Sequence, residues 1–181
     1  MYYELFDLPS EVIFTDEDIT NLWSIRPQSP HIVKIYGRTL ETPRLQAAFG
    51  RDYAFSGTIA YAQPIPPLLL PLMDFLNERY NCNLNMALIN WYRDGNDYIS
   101  PHSDDETQIN PNTPIITVSL GATRDFVLTP RDKNLERVVL KHGSNQVITM
   151  FPGCQQVYKH GVPKRKGIGD YRISLTFREF I

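Results

Sequence analysis

The chain has few cysteines, no signal-like pattern in its first residues and no apolar segment that would cross a bilayer. Cys82 and Cys154 form no CxxC pair, which argues against a disulfide framework or a thiolate zinc site and favours a reducing compartment, nuclear or cytoplasmic. The longest apolar run, residues 65–73, is interrupted by prolines and is too short to span a membrane. Residues 1–7 lack the regions of a signal peptide, so we expect neither secretion nor membrane association.

No large excess of either charge is present, but the charges are unevenly distributed. The net charge is −2 over 181 residues. Residues 131–178 carry ten Lys or Arg against three acidic residues, a net of +7, whereas residues 1–130 carry eight against sixteen, a net of −8. This distribution is compatible with a basic surface that meets phosphate, and equally with two solvated patches that pair with each other.

Turn-forming residues are plentiful and lie between many short strand-like segments. Fourteen Pro and ten Gly indicate frequent turns. The pattern predicts one domain over residues 1–181 with an α+β, mainly β fold. Residues from about 85 to 181 would form a double-stranded β-helix, or jelly roll, with N-terminal helices packed on one sheet. The predicted strands are 85–92, 114–120, 124–129, 137–141, 146–150, 155–159 and 171–178.

Two helices and a short strand are predicted before the jelly roll. Residues 15–24 offer Thr15 or Asp16 as an N-cap, and residues 67–80 follow prolines that suit the first turn of a helix. Residues 32–37 indicate a short strand. With 42% hydrophobic residues, the chain can fill one core.

His102 and Asp104 form the pair with the most chemical meaning. Two positions apart in an extended segment, their side chains turn to one face and can bind one metal ion. His160 would complete two histidines and a carboxylate, the ligand set of non-haem Fe(II) oxygenases. The same ligands suit a catalytic Zn²⁺, and an HxD pair alone occurs by chance. His31 and His142 have no comparable surroundings in the sequence and are interpreted as non-ligands.

Arginines at both ends of the last predicted strand give it a polar face. Arg172, Ser174, Thr176 and Arg178 point to one side, and apolar residues alternate with them. A doubly cationic face inside a barrel needs an anion, and guanidinium groups bind carboxylates in a bidentate fork. A dicarboxylate is therefore a natural ligand, although a solvent-facing strand would show the same alternation.

Taken together, these motifs resemble the AlkB family of Fe(II)- and 2-oxoglutarate-dependent dioxygenases. The resemblance covers residues from about 33 to 178 and rests on order and spacing. The motifs are Asn-Trp-Tyr-Arg-Asp-Gly at 90–95, His-Ser-Asp-Asp-Glu at 102–106, then His160 and the strand 172–178. Within the family, the likeness is to the DNA-repair animal homologues 2 and 3, with homologue 2 favoured.

The resemblance implies a role for each residue of the metal and co-substrate site. Fe(II) would be bound by the catalytic set His102, Asp104 and His160, with 2-oxoglutarate and O₂ as co-substrates. The two carboxylates of 2-oxoglutarate would be bound by Arg172 and Arg178. Further contacts to it are assigned to Asn90, Tyr92, Ser174 and Thr176, and Ser174 stands where the bacterial founder has Asn.

The resemblance also implies a nucleotide-recognition lid at about residues 30–62. Tyr53 would line a pocket in which Phe55 stacks on a flipped base opposite His102. Tyr36 would fill the gap that this base leaves in a duplex, and Arg44 would reach the DNA nearby. The other implied substrate contacts are Ser56, Asp105, Glu106 at the exocyclic edge of the base, and the basic loop Lys164, Arg165 and Lys166 on the duplex backbone.

The implied activity is direct-reversal DNA repair by a monomer. 1-Methyladenine and 3-methylcytosine in DNA, duplex DNA in particular, would be demethylated with release of formaldehyde, succinate and CO₂. Two alternatives stay open, namely the same demethylation of RNA and a non-catalytic nucleic-acid-binding module. Formaldehyde release separates the last from the other two.

Overall fold

The computed structural model describes residues 1–181 and contains two antiparallel sheets with helices on one side. The helices are α1 Asp16–Ser24, α2 Leu70–Tyr80 and α3 Cys154–Val157. The strands are β1 Tyr3–Asp7, β2 Ile32–Ile35, β3 Arg38–Glu41, β4 Leu45–Phe49, β5 Tyr53–Phe55, β6 Thr58–Ala60, β7 Met86–Tyr92, β8 Ile99–His102, β9 Ile115–Gly121, β10 Arg124–Pro130, β11 Val138–His142, β12 Gln146–Met150, β13 Tyr158–Val162 and β14 Arg172–Arg178. None of the helices has the length and apolar character needed to span a bilayer.

The two sheets have the strand orders of a jelly roll, which confirms the predicted fold. The larger sheet has six strands in the order β1-β12-β9-β14-β7-β4, and the smaller has four in the order β11-β10-β13-β8. Neighbours in each sheet are antiparallel and mostly non-consecutive in the chain, as expected when strands alternate between two facing sheets. Two hairpins, β2–β3 and β5–β6, lie outside both sheets.

Strand β14 lies inside the larger sheet between two hydrophobic clusters. Ile173, Leu175 and Phe177 are fully buried in the cluster that contains the helices. Burial of each such side chain contributes roughly 1.5–3 kcal/mol. The alternate residues, from Arg172 to Arg178, face the space between the sheets, so the predicted two-residue alternation is confirmed.

The helices begin close to their predicted positions. Thr15 caps α1 in a capping box, because its Oγ1 accepts from Asp18 N at 3.2 Å while the Asp18 carboxylate accepts from Thr15 N at 2.8 Å. Trp91 of β7 donates its indole N–H to Leu22 O at 2.9 Å, which fixes α1 against the larger sheet. The predicted helix 67–80 divides into a 3₁₀ turn, Pro67–Leu69, followed by α2.

The prediction of a strand at 155–159 is wrong in its first half. Gly153 has a φ of +93°, and the chain then forms the helical turn α3 before β13 starts at Tyr158. His160 consequently lies in the middle of β13, where it pairs with His102 at the end of β8. Both histidines therefore lie within strands, and the ladder between β8 and β13 fixes them.

The segment before α2 forms the two hairpins. Each has a two-residue turn with positive φ at both positions, at Tyr36-Gly37 and at Ser56-Gly57. This is the geometry of type I′ turns, which suit the twist of paired strands and favour glycine. The hairpins are joined by a hydrogen bond from Lys34 N to Ser56 O at 3.3 Å. That residues 30–62 act as a recognition lid remains a prediction.

Candidate active site

A cavity of about 610 Å³ opens between the two sheets and the hairpins. Its floor is formed by polar residues of β7 and β14, among them Asn90 and Thr176. Tyr53 and Phe55 lie on the hairpin side, and His102 lies on the side of the smaller sheet. The volume is within the range of pockets that hold small molecules, which is roughly 300–1,000 Å³.

His102, Asp104 and His160 converge in this cavity. One ligand atom from each lies within 4.8 Å of the others. His102 Nε2 is 3.4 Å from Asp104 Oδ1, and His160 Nε2 is 3.9 Å from Asp104 Oδ2. The structure thus brings together all three residues that the sequence predicts as ligands.

Hydrogen bonding and burial prepare both imidazoles for a metal. His102 Nδ1 is 2.9 Å from Ser100 O, and because a carbonyl only accepts, Nδ1 carries the hydrogen and Nε2 keeps its lone pair. Burial, and next to it the neighbouring His102, lowers the pKa of His160 to about 3, so its ring is neutral, as a metal ligand must be. Asp104 Oδ1 and His160 Nδ1 are buried without a hydrogen-bond partner. This donor set fits a divalent cation.

Asp104 is buried and paired with Arg178. Arg178 Nη2 donates to Asp104 Oδ2 at 2.7 Å. Burial opposes ionisation of the carboxyl, but the charge of the Arg178 guanidinium outweighs it and holds the pKa of Asp104 well below its usual range. The backbone N–H of Asp104 donates to Gln155 Oε1 at 3.0 Å, so the backbone of this residue is held as well as its carboxylate.

The predicted co-substrate contacts on β7 and β14 line the same cavity, except Arg172. The two strands pair so that Asn90 lies opposite Ser174. Thr176 Oγ1 lies 3.3 Å from Thr117 Oγ1 on β9. The residues of this group that line the cavity are Asn90, Tyr92, Ser174, Thr176 and Arg178.

Arg172 lies behind the cavity wall. Its side chain is fully buried, and its guanidinium carbon is 5.1 Å from the centroid of the Tyr92 ring. Nε donates to Ser119 Oγ at 2.8 Å, Nη2 is 3.1 Å from His142 Nδ1, and Nη1 is buried without a partner. Burial lowers the pKa of Arg172 to about 10. A buried cation with an unused N–H group fits a ligand carboxylate.

Aromatic and acidic residues line the hairpin side of the cavity. The rings of Tyr53 and Phe55 are stacked, with centroids 4.9 Å apart. The Tyr53 hydroxyl donates to Glu106 Oε1 at 2.5 Å, whereas Glu106 Oε2 is buried without a partner. Burial, reinforced by the charge of Asp104, raises the pKa of Glu106. Ser56 and Asp105 also line this cavity.

Tyr36 and the loop Lys164–Lys166 lie on the surface. Tyr36 is fully exposed at the tip of its hairpin. Lys164 and Lys166 are exposed, whereas Arg165 pairs with Asp125 at 2.5 Å. That this loop binds the duplex backbone remains a prediction. The loop is held against Gly95, where an added Cβ would lie 1.7 Å from the Arg165 carbonyl oxygen.

Comparison with known proteins assigns this site to a family. Residues 27–178 match the 2OG-Fe(II) oxygenase superfamily. The chain belongs to this superfamily. It is 34% identical over 161 residues to the mouse and human proteins named DNA oxidative demethylase ALKBH2, covering 82% of this chain and 66% and 61% of theirs. The rat alkB homolog 3 is 32% identical over 152 residues, covering 77% of this chain and 51% of its own length.

These matches confirm the resemblance to the AlkB family and limit what it carries. The chain spans about half to two thirds of the length of the curated relatives it matches. A solved structure of OsALKBH1 superposes with a TM-score of 0.65 at 16% identity and covers 98% of this chain and 96% of that chain, which supports the fold. The superfamily implies Fe(II), 2-oxoglutarate and O₂, which the His102, Asp104 and His160 triad and the unpartnered Arg172 Nη1 fit.

Arg44 and His142 make contacts in this oxygenase that the sequence did not predict. Arg44, expected to reach DNA, is buried, and it donates to Asn90 Oδ1 at 2.8 Å and Gln46 Oε1 at 3.1 Å. It turns inward because these acceptors lie on the neighbouring β7 and on its own strand. His142, which lacks notable neighbours in the sequence, is fully buried and contacts Arg172. Its position thirty residues before Arg172 hides this contact in the sequence.

Proposed function

We propose that this oxygenase demethylates 1-methyladenine and 3-methylcytosine in DNA by direct reversal. The observation that carries the proposal is one cavity with a metal triad on one side and the stacked rings of Tyr53 and Phe55 on another. A flipped base between Phe55 and His102 would present its N-methyl group toward the metal. Relatives named DNA oxidative demethylase ALKBH2 support this choice of substrate.

Fe(II) would be held by His102, Asp104 and His160. When bound, the iron with 2-oxoglutarate and O₂ supplies an oxidant that hydroxylates the N-methyl carbon, yielding succinate, CO₂ and a base that releases formaldehyde. The protein contributes position and electrostatics. Arg178 keeps Asp104 ionised, and the Ser100 carbonyl keeps the His102 lone pair directed away from the backbone.

The polar floor would bind 2-oxoglutarate. Arg178, which lies beside the metal ligand Asp104, would take the carboxylate at the keto acid end. Arg172, through its free Nη1, would take the distal carboxylate once Tyr92 lets the ligand approach. The remaining hydrogen bonds would come from Asn90, Tyr92, Ser174 and Thr176.

The hairpin side would recognise the base. Tyr53 holds one oxygen of the Glu106 carboxyl, which leaves Oε2 to accept a hydrogen bond from an exocyclic amino group. Phe55 would stack on the base, because stacking accepts any nucleobase. Ser56 and Asp105 would contact the nucleotide at the mouth of the cavity.

DNA would be bound by exposed groups around this mouth. Extruding a base from a duplex costs a few kcal/mol, and the exposed ring of Tyr36 could stack in the gap. Lys164 and Lys166 would contact phosphates, with Arg165 anchoring the loop through Asp125. We propose that the oxygenase acts as a monomer on duplex DNA in the nucleus or cytoplasm.

A substrate panel tests the proposal. Formaldehyde should be released from methylated DNA only with Fe(II) and 2-oxoglutarate, and faster from duplex than from single-stranded DNA or RNA of the same sequence. A clear preference for methylated RNA would replace DNA repair with the RNA reaction. Binding of nucleic acid without formaldehyde from any substrate would make the chain a binding module.

A further inference from the structure

Arg172 is a buried cation with only neutral partners. None of the ion pairs in the structure includes it, although it is fully buried. A buried charge without an anion is costly unless its N–H groups are hydrogen-bonded. Its hydrogen-bonding partners are His142 on β11 and Ser119 on β9.

The His142 ring can accept from Arg172 only in one tautomer, and its other contact selects that tautomer. Nε2 lies 2.9 Å from the Gln146 carbonyl oxygen, which can only accept, so Nε2 carries the hydrogen. Nδ1 then has the lone pair that Arg172 Nη2 meets at 3.1 Å. Burial, and next the charge of Arg172, lowers the pKa of His142 to about 3, so the ring stays neutral.

Ser119 holds the other side of the guanidinium. It lies opposite Ser174 where β9 pairs with β14, and its Oγ accepts from Arg172 Nε at 2.8 Å. The same hydroxyl is 3.4 Å from the His142 carbonyl oxygen, to which it can donate. Because a guanidinium is planar and rigid, fixing Nε and Nη2 also fixes the direction of Nη1.

We infer that His142 and Ser119 are positioning residues that orient Arg172 so that its Nη1 is left for the distal carboxylate of 2-oxoglutarate. The inference rests on the proposed function, because it requires 2-oxoglutarate to bind at this floor. Neither residue lines the cavity. Replacing either residue should therefore weaken only the binding of the distal carboxylate, which is the ligand group that Arg172 meets.

Calorimetric titration of the Mn(II)-loaded protein tests this with two ligands. 2-Oxoglutarate has the distal carboxylate, and 2-oxopentanoate is the same chain with a methyl group in its place. In His142→Leu, we expect the affinity for 2-oxoglutarate to fall about tenfold, equivalent to about 1.4 kcal/mol. The affinity for 2-oxopentanoate should stay unchanged, since no ligand group then meets Arg172.

Three further variants complete the test. His142→Asn keeps an acceptor near the position of Nδ1 and should restore the preference for 2-oxoglutarate. Ser119→Ala should lower the preference for 2-oxoglutarate. Because this substitution is small, it can test the inference if His142→Leu does not fold. In an Arg172→Gln background, His142→Leu should have no further effect. Thermal unfolding of each variant shows which are folded.

The outcomes separate this inference from the proposed function. Equal losses for both ligands, or an unchanged preference in both His142→Leu and Ser119→Ala, would overturn the positioning role. If the wild-type protein binds 2-oxoglutarate and the variants bind it equally well, the positioning role is wrong but the proposed function is not contradicted. A wild-type protein that does not bind 2-oxoglutarate overturns both.

Discussion

The floor of the cavity and the β2–β3 hairpin differ in burial and in how their polar and aromatic groups are held. Every residue of β14 is buried, whereas every residue of β3 is exposed. The floor holds its charges by pairing and hydrogen bonding, as between Arg178 and Asp104. The hairpin instead presents an aromatic ring, Tyr36, to solvent. Groups proposed to bind the small co-substrates are therefore fixed by the core, and groups proposed to meet DNA are free of it.

This difference predicts separable effects of mutation. A change on the floor should affect stability and chemistry together, because buried charges have no water to replace a lost partner. A change on the β2–β3 hairpin should affect only the rate of reaction with a particular nucleic-acid substrate, and should leave stability unchanged. The predictions below test that separation.

Replacing Arg178 with Met should have the largest effect on stability. The buried Asp104 would lose its strongest partner, and breaking a buried pair on one side costs about 3–5 kcal/mol. Arg38→Met, on the exposed β3, is the matched control and should change the free energy of unfolding by less than about 0.5 kcal/mol. Urea denaturation of the metal-free proteins measures both, and similar values would remove the contrast between the two regions.

His102→Ala should separate chemistry from stability on the cavity wall formed by the smaller sheet. The side chain is 34% exposed, so its loss should cost little folding free energy. Loss of a metal ligand should lower iron affinity by about a hundredfold or more, since even an outer-shell change costs 10–100-fold. His31→Ala, a histidine outside the triad, should bind iron like the wild type. Retained iron in His102→Ala would contradict the ligand assignment.

Tyr36→Ala should affect duplex substrates selectively. Loss of the stacking ring should slow demethylation of duplex DNA about tenfold and leave single-stranded DNA nearly unchanged. Tyr61→Ala removes another exposed tyrosine that does not line the cavity and should change neither rate. An equal loss of rate on both DNA forms would refute the proposal that Tyr36 fills the gap left by the flipped base in a duplex.

The smallest effect is a change in the pH dependence of stability. His142 has a folded pKa of about 3 against an ordinary value of 6.5, so the unfolded chain binds its proton first. The contribution of the neutral His142 ring to the free energy of unfolding is complete above pH 6.5 and is lost as the pH falls toward 3. From pH 7 to 5.5, metal-free wild type should lose about 1 kcal/mol relative to His142→Asn. Parallel curves for the two proteins would contradict the neutral buried imidazole.

Local patterns in the sequence were enough to predict the floor. The alternation of Ile173, Leu175 and Phe177 with polar residues needs only the two-residue period of a strand, and the structure confirms it. The triad was predicted from residue types and order, and the pairing of β8 with β13 brings its members together. The alternation is encoded locally, whereas the triad could be predicted only because its residue types and order form a recognisable motif, since the pairing of His160 with His102 is not local.

Contacts that depend on strand pairing and belong to no recognisable motif could not be predicted from the sequence. The family resemblance implied that Arg44 reaches the DNA, yet acceptors on β7 and β4 draw it inward. His142 gave no signal, since its partner Arg172 is brought to it by the way the two sheets meet. The buried strand β4 was missed as well, because its Gln and two alanines lack the β-branched residues of a typical strand.

The central claim is that the metal triad and the base share one cavity and one reaction. The most direct test measures succinate and formaldehyde together from duplex DNA with a single 1-methyladenine. The account predicts one formaldehyde for each succinate in the wild type and neither product in His102→Ala. Succinate without formaldehyde, or formaldehyde that persists in His102→Ala, would contradict it.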